Sequence, residues 1–251
     1  MKNLSVIIIT KNAAEQIEQC LQSVKFANEI IVLDSGSEDN TIEICQRYTD
    51  NIMITDWRGF GIQKNRALAQ IQHDWVLSID ADEQVTPDLQ VEILQAIEQT
   101  EYNAFYIPRI SYYCGRWIQH SGWQPDLIIR LFRKECAQFS NDIIHEKIIV
   151  TQGKIGQLNG QLRHFSFTSF ESVLDKINRY SSASAEMLYA KGKRANLTKA
   201  IFHGLWAFFR TYVLKRGFLD GQQGLMLAIS NAEGSYYRYV KLMYLQDKIQ
   251  K

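Results

Sequence analysis

At 251 residues, 46% of them hydrophobic, the chain has enough apolar material to bury a full core, which excludes a disordered or fibrous protein and fits one large domain or a domain with a sizeable appendage. The formal net charge of +1 hides an asymmetry: residues 173 to 251 carry 13 Lys and Arg against 5 Asp and Glu, about +8, which leaves about −7 on the first 172. An acidic front and a basic tail imply two kinds of partner, and the tail suits nucleic acid, a membrane surface or an anionic substrate.

Met1-Lys2 runs straight into a short apolar strand with neither a long apolar segment nor a small-residue cleavage site, so a cytosolic chain without a signal peptide is expected. "LSVIIIT" (4 to 10), "EIIVLD" (29 to 34), "NIMIT" (51 to 55) and "DWVLSID" (74 to 80) are rich in β-branched residues and nearly continuous in hydrophobicity, as strands covered on both faces are. Between them, residues 13 to 26, 39 to 48 and 60 to 71 can each turn an apolar stripe inward, as Ile17, Leu21 and Val24 do. The order is βαβα, which predicts an α/β fold with a mostly parallel sheet. A helix over about 88 to 99 follows Pro87; "AFYIPRISYY", "DLIIRLFRK" and "IIHEKIIV" then read as strands of a mixed extension to the same sheet.

From about residue 170 the period becomes helical. "FESVLDKINRYSSASAEMLYAKGKR", "LTKAIFHGLWAFFRTYVLKRG" and "YYRYVKLMYLQDKIQK" each read as one helix, giving a division into residues 1–169 and a helical region 170–251. The middle helix carries Phe202, Trp206, Phe208, Phe209 and Tyr212 among Lys199, Arg210, Lys215 and Arg216. Its apolar run is too short to span a bilayer. Lying in the interface of an anionic membrane, or packing on the core with a solvated basic face, both fit. The four cysteines, Cys20, Cys45, Cys114 and Cys136, lack metal-ligand spacing and read as buried free thiols.

In parallel α/β sheets the ligand sits beyond the carboxyl ends of the strands, so the informative loops are "TKN", "DSGSEDNT", "DWRGFG" and "DADEQ". Asp80 and Asp82 bring two like charges together after a buried strand. A hard divalent cation, completed by water and phosphate oxygens, relieves that repulsion; a solvated loop, or a helix-start signal running into Thr86-Pro87, is the other reading. Asp34 closes the second strand and can accept from a base imide or a ribose hydroxyl; a plain strand-to-helix turn is the other reading. Thr10 and Asn12 can add contacts to the same ligand, and Lys64, Asn65 and Arg66 stand at the mouth, where the two cations can meet a diphosphate or form an exposed basic turn.

"SVIIITKN", "IIVLDSGSEDNT", "GIQKNRAL" and "VLSIDADEQVTP", in this order, resemble the nucleotide-sugar-binding half of family 2 inverting glycosyltransferases of GT-A fold over roughly residues 3 to 150. "SNDIIHEKI", "LRHFSFTSF" and "RGFLDGQQG" resemble more narrowly the bacterial lipopolysaccharide core β-glucosyltransferases that extend the inner-core heptose. The resemblance implies that Asp82 binds the divalent metal, Mg or Mn, with Asp80 beside it near the ribose or sugar. Many relatives carry two acids where this chain has Asp34-Ser35. It also implies a base on the acceptor side, which by position is Glu146 in "HEK"; an ion pair with Lys147 or a nearby Arg is the alternative. His145 can orient that base, touch the acceptor or simply be packed or hydrogen-bonded, and His164 can complete the metal site or be a core histidine.

The expected reaction is transfer of a hexose, glucose from UDP-glucose, to a lipopolysaccharide core acceptor by a protein peripheral on the inner face of the inner membrane. Polyprenyl phosphate is the alternative acceptor. Nucleotidyl transfer is disfavoured because "TKNAAE" after the first strand lacks a glycine-rich phosphate loop. A non-catalytic nucleic-acid binder would not need Asp34, Asp80, Asp82 and Glu146 at the mouth of the sheet, so no nucleic-acid partner is expected.

Overall fold

The computed structural model describes residues 2–99, 101–140 and 146–247. The chain divides into two compact units, Met1–Arg109 with Asp126–His164, and Ile110–Pro125 with Phe165–Lys251. The first unit contains β1 (Leu4–Thr10), α1 (Ile17–Ser23), β2 (Glu29–Asp34), α2 (Thr41–Gln46), β3 (Ile52–Ile54), α3 (Phe60–Gln70), β4 (Trp75–Asp80), β5 (Glu83–Val85) and α4 (Pro87–Glu98). Chain order continues with β6 (Tyr102–Tyr113), β7 (Arg116–Trp117), β8 (Leu127–Arg133), β9 (Ala137–Phe139), β10 (Ile148–Val150), β11 (Lys154–Gln157) and β12 (Leu162–Phe167). The helices α5 (Phe170–Ala190), α6 (Leu197–Phe209) and α7 (Gly221–Asp247) complete the chain.

Strands β3, β2, β1 and β4 lie side by side in parallel, and β8 and β6 extend the sheet in antiparallel fashion beyond β4. The chain leaves β1 to one side for β2 and β3, then crosses to the other side for β4. This reversal opens a crevice at the carboxyl ends of the strands. All seven residues of β1 are buried because alternate side chains enter two different clusters. Leu4, Val6 and Ile8 join Ile17, Leu21, Leu89 and Ile93 on the face covered by α1 and α4. Ile7 and Ile9 join Ala67, Leu68 and Phe132 on the face covered by α3.

Several elements depart from the periodicity. Among the described residues of the strand read in "IIHEKIIV", Ile148–Val150 is a strand, and it pairs with β9 in a separate two-stranded sheet; Ile143, Ile144 and His145 lie outside the described residues. In the second unit, residues 110–125 belong with the helices because Tyr113, Ile118 and Trp123 pack with Val173, Ile177 and Leu227. α6 stops at Phe209 and passes into a π-helical turn, Arg210–Leu214, so the single long helix expected over 197–217 is broken.

α7 begins at Gly221, well before Tyr236, although Gly221, Gly224 and Gly234 depress its intrinsic helicity. Gly224 has a packing reason: a Cβ there would lie 1.8 Å from the Gly217 carbonyl oxygen. The four cysteines are free thiols, three buried and Cys114 half-buried. Among the described residues no helix is long and apolar enough to cross a membrane.

Candidate active site

Three strand ends meet at the crevice. Thr10 is in register with Asp34 across β1 and β2, and Ile9 with Asp80 across β1 and β4. Asp34 is fully buried; one carboxylate oxygen accepts from the backbone N–H groups of Gly36 (2.8 Å) and Ser37 (2.7 Å), and the other from the Ser37 hydroxyl. Here it shapes its own loop, with Gly36 in the positive-φ conformation the turn demands. Asn12 sews the first loop to this one. Its N–H donates to Ser37 Oγ and its Oδ1 accepts from Glu38 N, both at 2.8 Å. Thr10 Oγ1 is buried without a hydrogen-bond partner among the described residues.

α3 brings Lys64 beneath the crevice. The side chain is 2% exposed, and its ammonium lies 2.8 Å from both Asp80 Oδ1 and Glu146 Oε1. A buried lysine is stable only with such compensation. The neighbouring Asn65 does something different. Its amide donates to Phe139 O at 2.9 Å and accepts from Phe139 N at 3.0 Å, so it ties α3 to β9. Arg66 likewise reaches Asp56 and Gln63.

Asp80 Oδ2 takes the guanidinium of Arg130, from β8. Arg130 also reaches Glu83 Oε1 at 2.8 Å, and Arg109 reaches the same oxygen at 3.1 Å and Asp126 at 2.8 Å. The result is a continuous chain of alternating sign: Glu146, Lys64, Asp80, Arg130, Glu83, Arg109, Asp126. Glu83 is fully buried, and its other oxygen accepts the Asp80 N–H at 2.9 Å, which fixes the backbone where β4 turns into β5.

Burial alone would raise the Asp80 pKa, but Arg130 and Lys64 outweigh it and hold the carboxyl well below the usual range. Burial would lower that of Arg130, and Asp80 and Glu83 reverse this, raising it. Lys64 and Arg130 thus favour the anionic form of Asp80 and orient its two oxygens, while Glu146 shares the Lys64 cation.

Asp82 and His164 meet separately, Oδ2 to Nε2 at 3.3 Å, because β12 pairs antiparallel with β5 and sets His164 opposite Glu83. Two donors each about 2.1 Å from one ion stand roughly 3 Å apart at a right angle. The 3.3 Å contact is that of a direct carboxylate–imidazole pair, and the two side chains are of the donor types that a divalent cation takes together with water and phosphate oxygens. Among the described residues no group of three or more His, Cys, Asp or Glu could hold a metal ion.

Glu83, Arg130 and Arg109 were missed by reading the sequence, yet a signal existed. Arg130 interrupts the apolar run "LIIRLF" at an inward position, and a charge inside such a strand requires a buried partner. Glu83 sat inside "SIDADEQ" itself, three residues beyond Asp80.

The family model of glycosyl transferase family 2 matches residues 5–173. An uncharacterized glycosyltransferase of Rickettsia prowazekii is 33% identical, covering 100% of this chain and 90% of the relative. The lipopolysaccharide core biosynthesis glycosyltransferase LpsC of Rhizobium meliloti is 30% identical over 94% of this chain and 93% of its own length. In fold, the chain is similar to S. aureus TarS (residues 1–349), at TM-score 0.50 and 16% identity over 98% of this chain and 92% of that one. The βαβ sheet with acids at its carboxyl edge is thus a GT-A fold, and the chain belongs to glycosyl transferase family 2 as a glycosyltransferase.

Proposed function

We propose that this glycosyltransferase moves glucose from UDP-glucose, with inversion, onto an inner-core heptose of lipopolysaccharide at the cytoplasmic face of the inner membrane. The single observation that carries the reading is the pairing of Glu146 and Asp80 on Lys64, which couples a proton acceptor to a donor-side acid at the carboxyl edge of the sheet. The acceptor class follows the name of the Rhizobium meliloti relative, and the uridine donor follows TarS, which has been crystallised with UDP-GlcNAc.

In the proposed mechanism Glu146 takes the proton of the acceptor hydroxyl as that oxygen bonds to the anomeric carbon and the bond to the diphosphate breaks. Asp80, fixed by Lys64 and Arg130, orients the ribose or sugar. Thr10, Asn12 and Asp34 frame the nucleoside, and Lys64 and Asn65 hold the adjacent wall. Asp82 and His164 would hold Mg or Mn, which supplies positive charge to the leaving diphosphate.

The membrane location draws support from α6. Leu197, Ile201, Leu205 and Phe209 recur every four residues and are exposed, as are Phe202 and Trp206 beside them, Phe202 at 68%. Lys199, within the helix, and Arg210, just past its end, supply charge for an anionic surface, as an in-plane interfacial helix requires.

The test is a screen of UDP- and GDP-sugars with Mg or Mn, using extracted truncated lipopolysaccharide as acceptor. Transfer from UDP-glucose is the expected result. A sugar linked to polyprenyl phosphate without any heptose acceptor would replace the proposed one.

A further inference from the structure

The second unit carries an open cavity of about 440 Å³. Its long walls are α5 and α7. On α5, Val173, Lys176, Ile177, Tyr180, Ser181 and Ser184 recur at spacings of three and four; on α7, Leu227, Ser230, Gly234, Ser235 and Arg238 do the same. Two facing helices ordinarily interlock large aliphatic side chains. Here serine and glycine stand at the facing positions and leave the space open.

Lys176, Arg210 and Arg238 line this space, and among the described residues lining it none is acidic. Among the described residues Arg238 Nε is buried without a hydrogen-bond partner, as are Arg130 Nε and Arg133 Nε, while Arg238 Nη2 reaches Ser235 Oγ at 3.3 Å. A buried guanidinium N–H left unpaired is unfavourable unless an acceptor enters from the cavity. Trp123 and Phe167 present tilted rings 6.3 Å apart, and Tyr180 lies on the same side as Lys176, whose ammonium stands 4.6 Å from the Phe167 ring centroid. Cations that fork onto phosphate, aromatic shelves for the C–H face of a pyranose, and small hydroxyls for its edge are one recognition set.

We propose that this cavity binds a phosphorylated sugar, and that in the transfer reaction it holds the anionic saccharide of the acceptor, a role that rests on the proposed function. The phosphate lies on Arg238, Arg210 and Lys176, and the sugar ring stacks on Trp123. A phospholipid headgroup shares the phosphate but offers no ring for the aromatic shelves, so a sugar phosphate is preferred.

Calorimetric titration of the full chain with glucose 6-phosphate, glycerol 1-phosphate and glucose tests this. Glucose 6-phosphate binds, and at least tenfold more tightly than the other two. Arg238→Gln weakens it at least tenfold; Ser184→Trp, which fills the cavity and leaves every cation in place, does the same. Lys193→Gln, an exposed cation outside the cavity, leaves binding unchanged. Equal affinity for glycerol 1-phosphate would assign the cavity to a lipid headgroup and overturn the proposal, as would binding unchanged in both cavity variants, or no binding. UDP-glucose titrated in parallel separates the two readings. A chain that binds the nucleotide sugar but no sugar phosphate refutes the cavity proposal alone; the converse upholds the cavity and refutes the donor.

Discussion

Glu146 and Asp80 are held by one cation: the ammonium of Lys64 lies 2.8 Å from an oxygen of each. A residue just beyond the end of the undescribed 141–145 stretch is thereby joined to the strand end that carries the paired aspartates. Replacing Glu146 by Gln keeps the shape and removes the proposed proton acceptor. Transfer should fall roughly 10²–10⁴-fold, with UDP-sugar affinity nearly unchanged by calorimetry. Unchanged turnover would remove Glu146 as the base.

Glu83 has no exposed surface and binds two arginines and the Asp80 N–H. Its replacement by Ala leaves Arg130 and Arg109 short of their shared acceptor, and breaking a buried pair in this way costs about 3–5 kcal/mol. Urea unfolding should show a loss of that order. A loss below about 1 kcal/mol, the scale of an exposed pair, would mean that water already satisfies the arginines.

The depressed pKa of Asp80 makes its contribution to stability depend on pH with a definite sign. Because the folded value lies below the unfolded value of about 3.9, the contribution is complete above that pH and declines as pH falls toward the folded pKa. The stability gap between wild type and Asp80→Asn should be constant from pH 5 to 8 and shrink below about pH 4. A gap that widened in acid would contradict the ion-pair arrangement.

Asp82→Ala should abolish the metal-dependent part of turnover while circular dichroism stays native, and removing divalent ions with EDTA should reproduce the loss in the wild type. His164→Ala should raise the Mn concentration needed for half-maximal rate by at least about tenfold, since loss of even an outer-shell partner of a metal ligand costs about 10–100-fold. An unchanged Mn requirement in His164→Ala would leave Asp82 with a different second partner.

Phe202→Glu and Trp206→Glu alter exposed positions of α6 and should not unfold the unit. Each should weaken sedimentation with anionic vesicles by roughly tenfold or more, since an inserted aromatic contributes at least about 1.5 kcal/mol. Binding that persisted in the double variant would place the membrane contact elsewhere.

The ordered loops were legible because each follows a nearly continuous apolar strand, and such strands imply both a buried sheet and a polar carboxyl edge. Asp80, Asp82 and Lys64 stood out for that reason. Asn65 and Asp34 were read from the same pattern, but whether an amide faces a ligand or the Phe139 backbone, or a carboxylate faces outward or its own turn, depends on a few ångströms that spacing does not encode. The α7 start was hidden for a related reason. Its glycines weaken local helicity, and only the tertiary structure gives a reason for two of them: Gly221 adopts a positive φ, and Gly224 lies against the Gly217 carbonyl oxygen.

By itself, the sequence determined the βαβα order, the parallel sheet and the family, because these follow from local periodicity and from motifs contiguous in the chain. Tertiary structure alone decided that Glu146, Lys64, Asp80, Arg130, Glu83, Arg109 and Asp126 form one alternating chain of charges. Those residues are up to 82 positions apart along the chain for a single link. Desolvation forces each buried charge to find a partner, and the sheet register determines which one it finds.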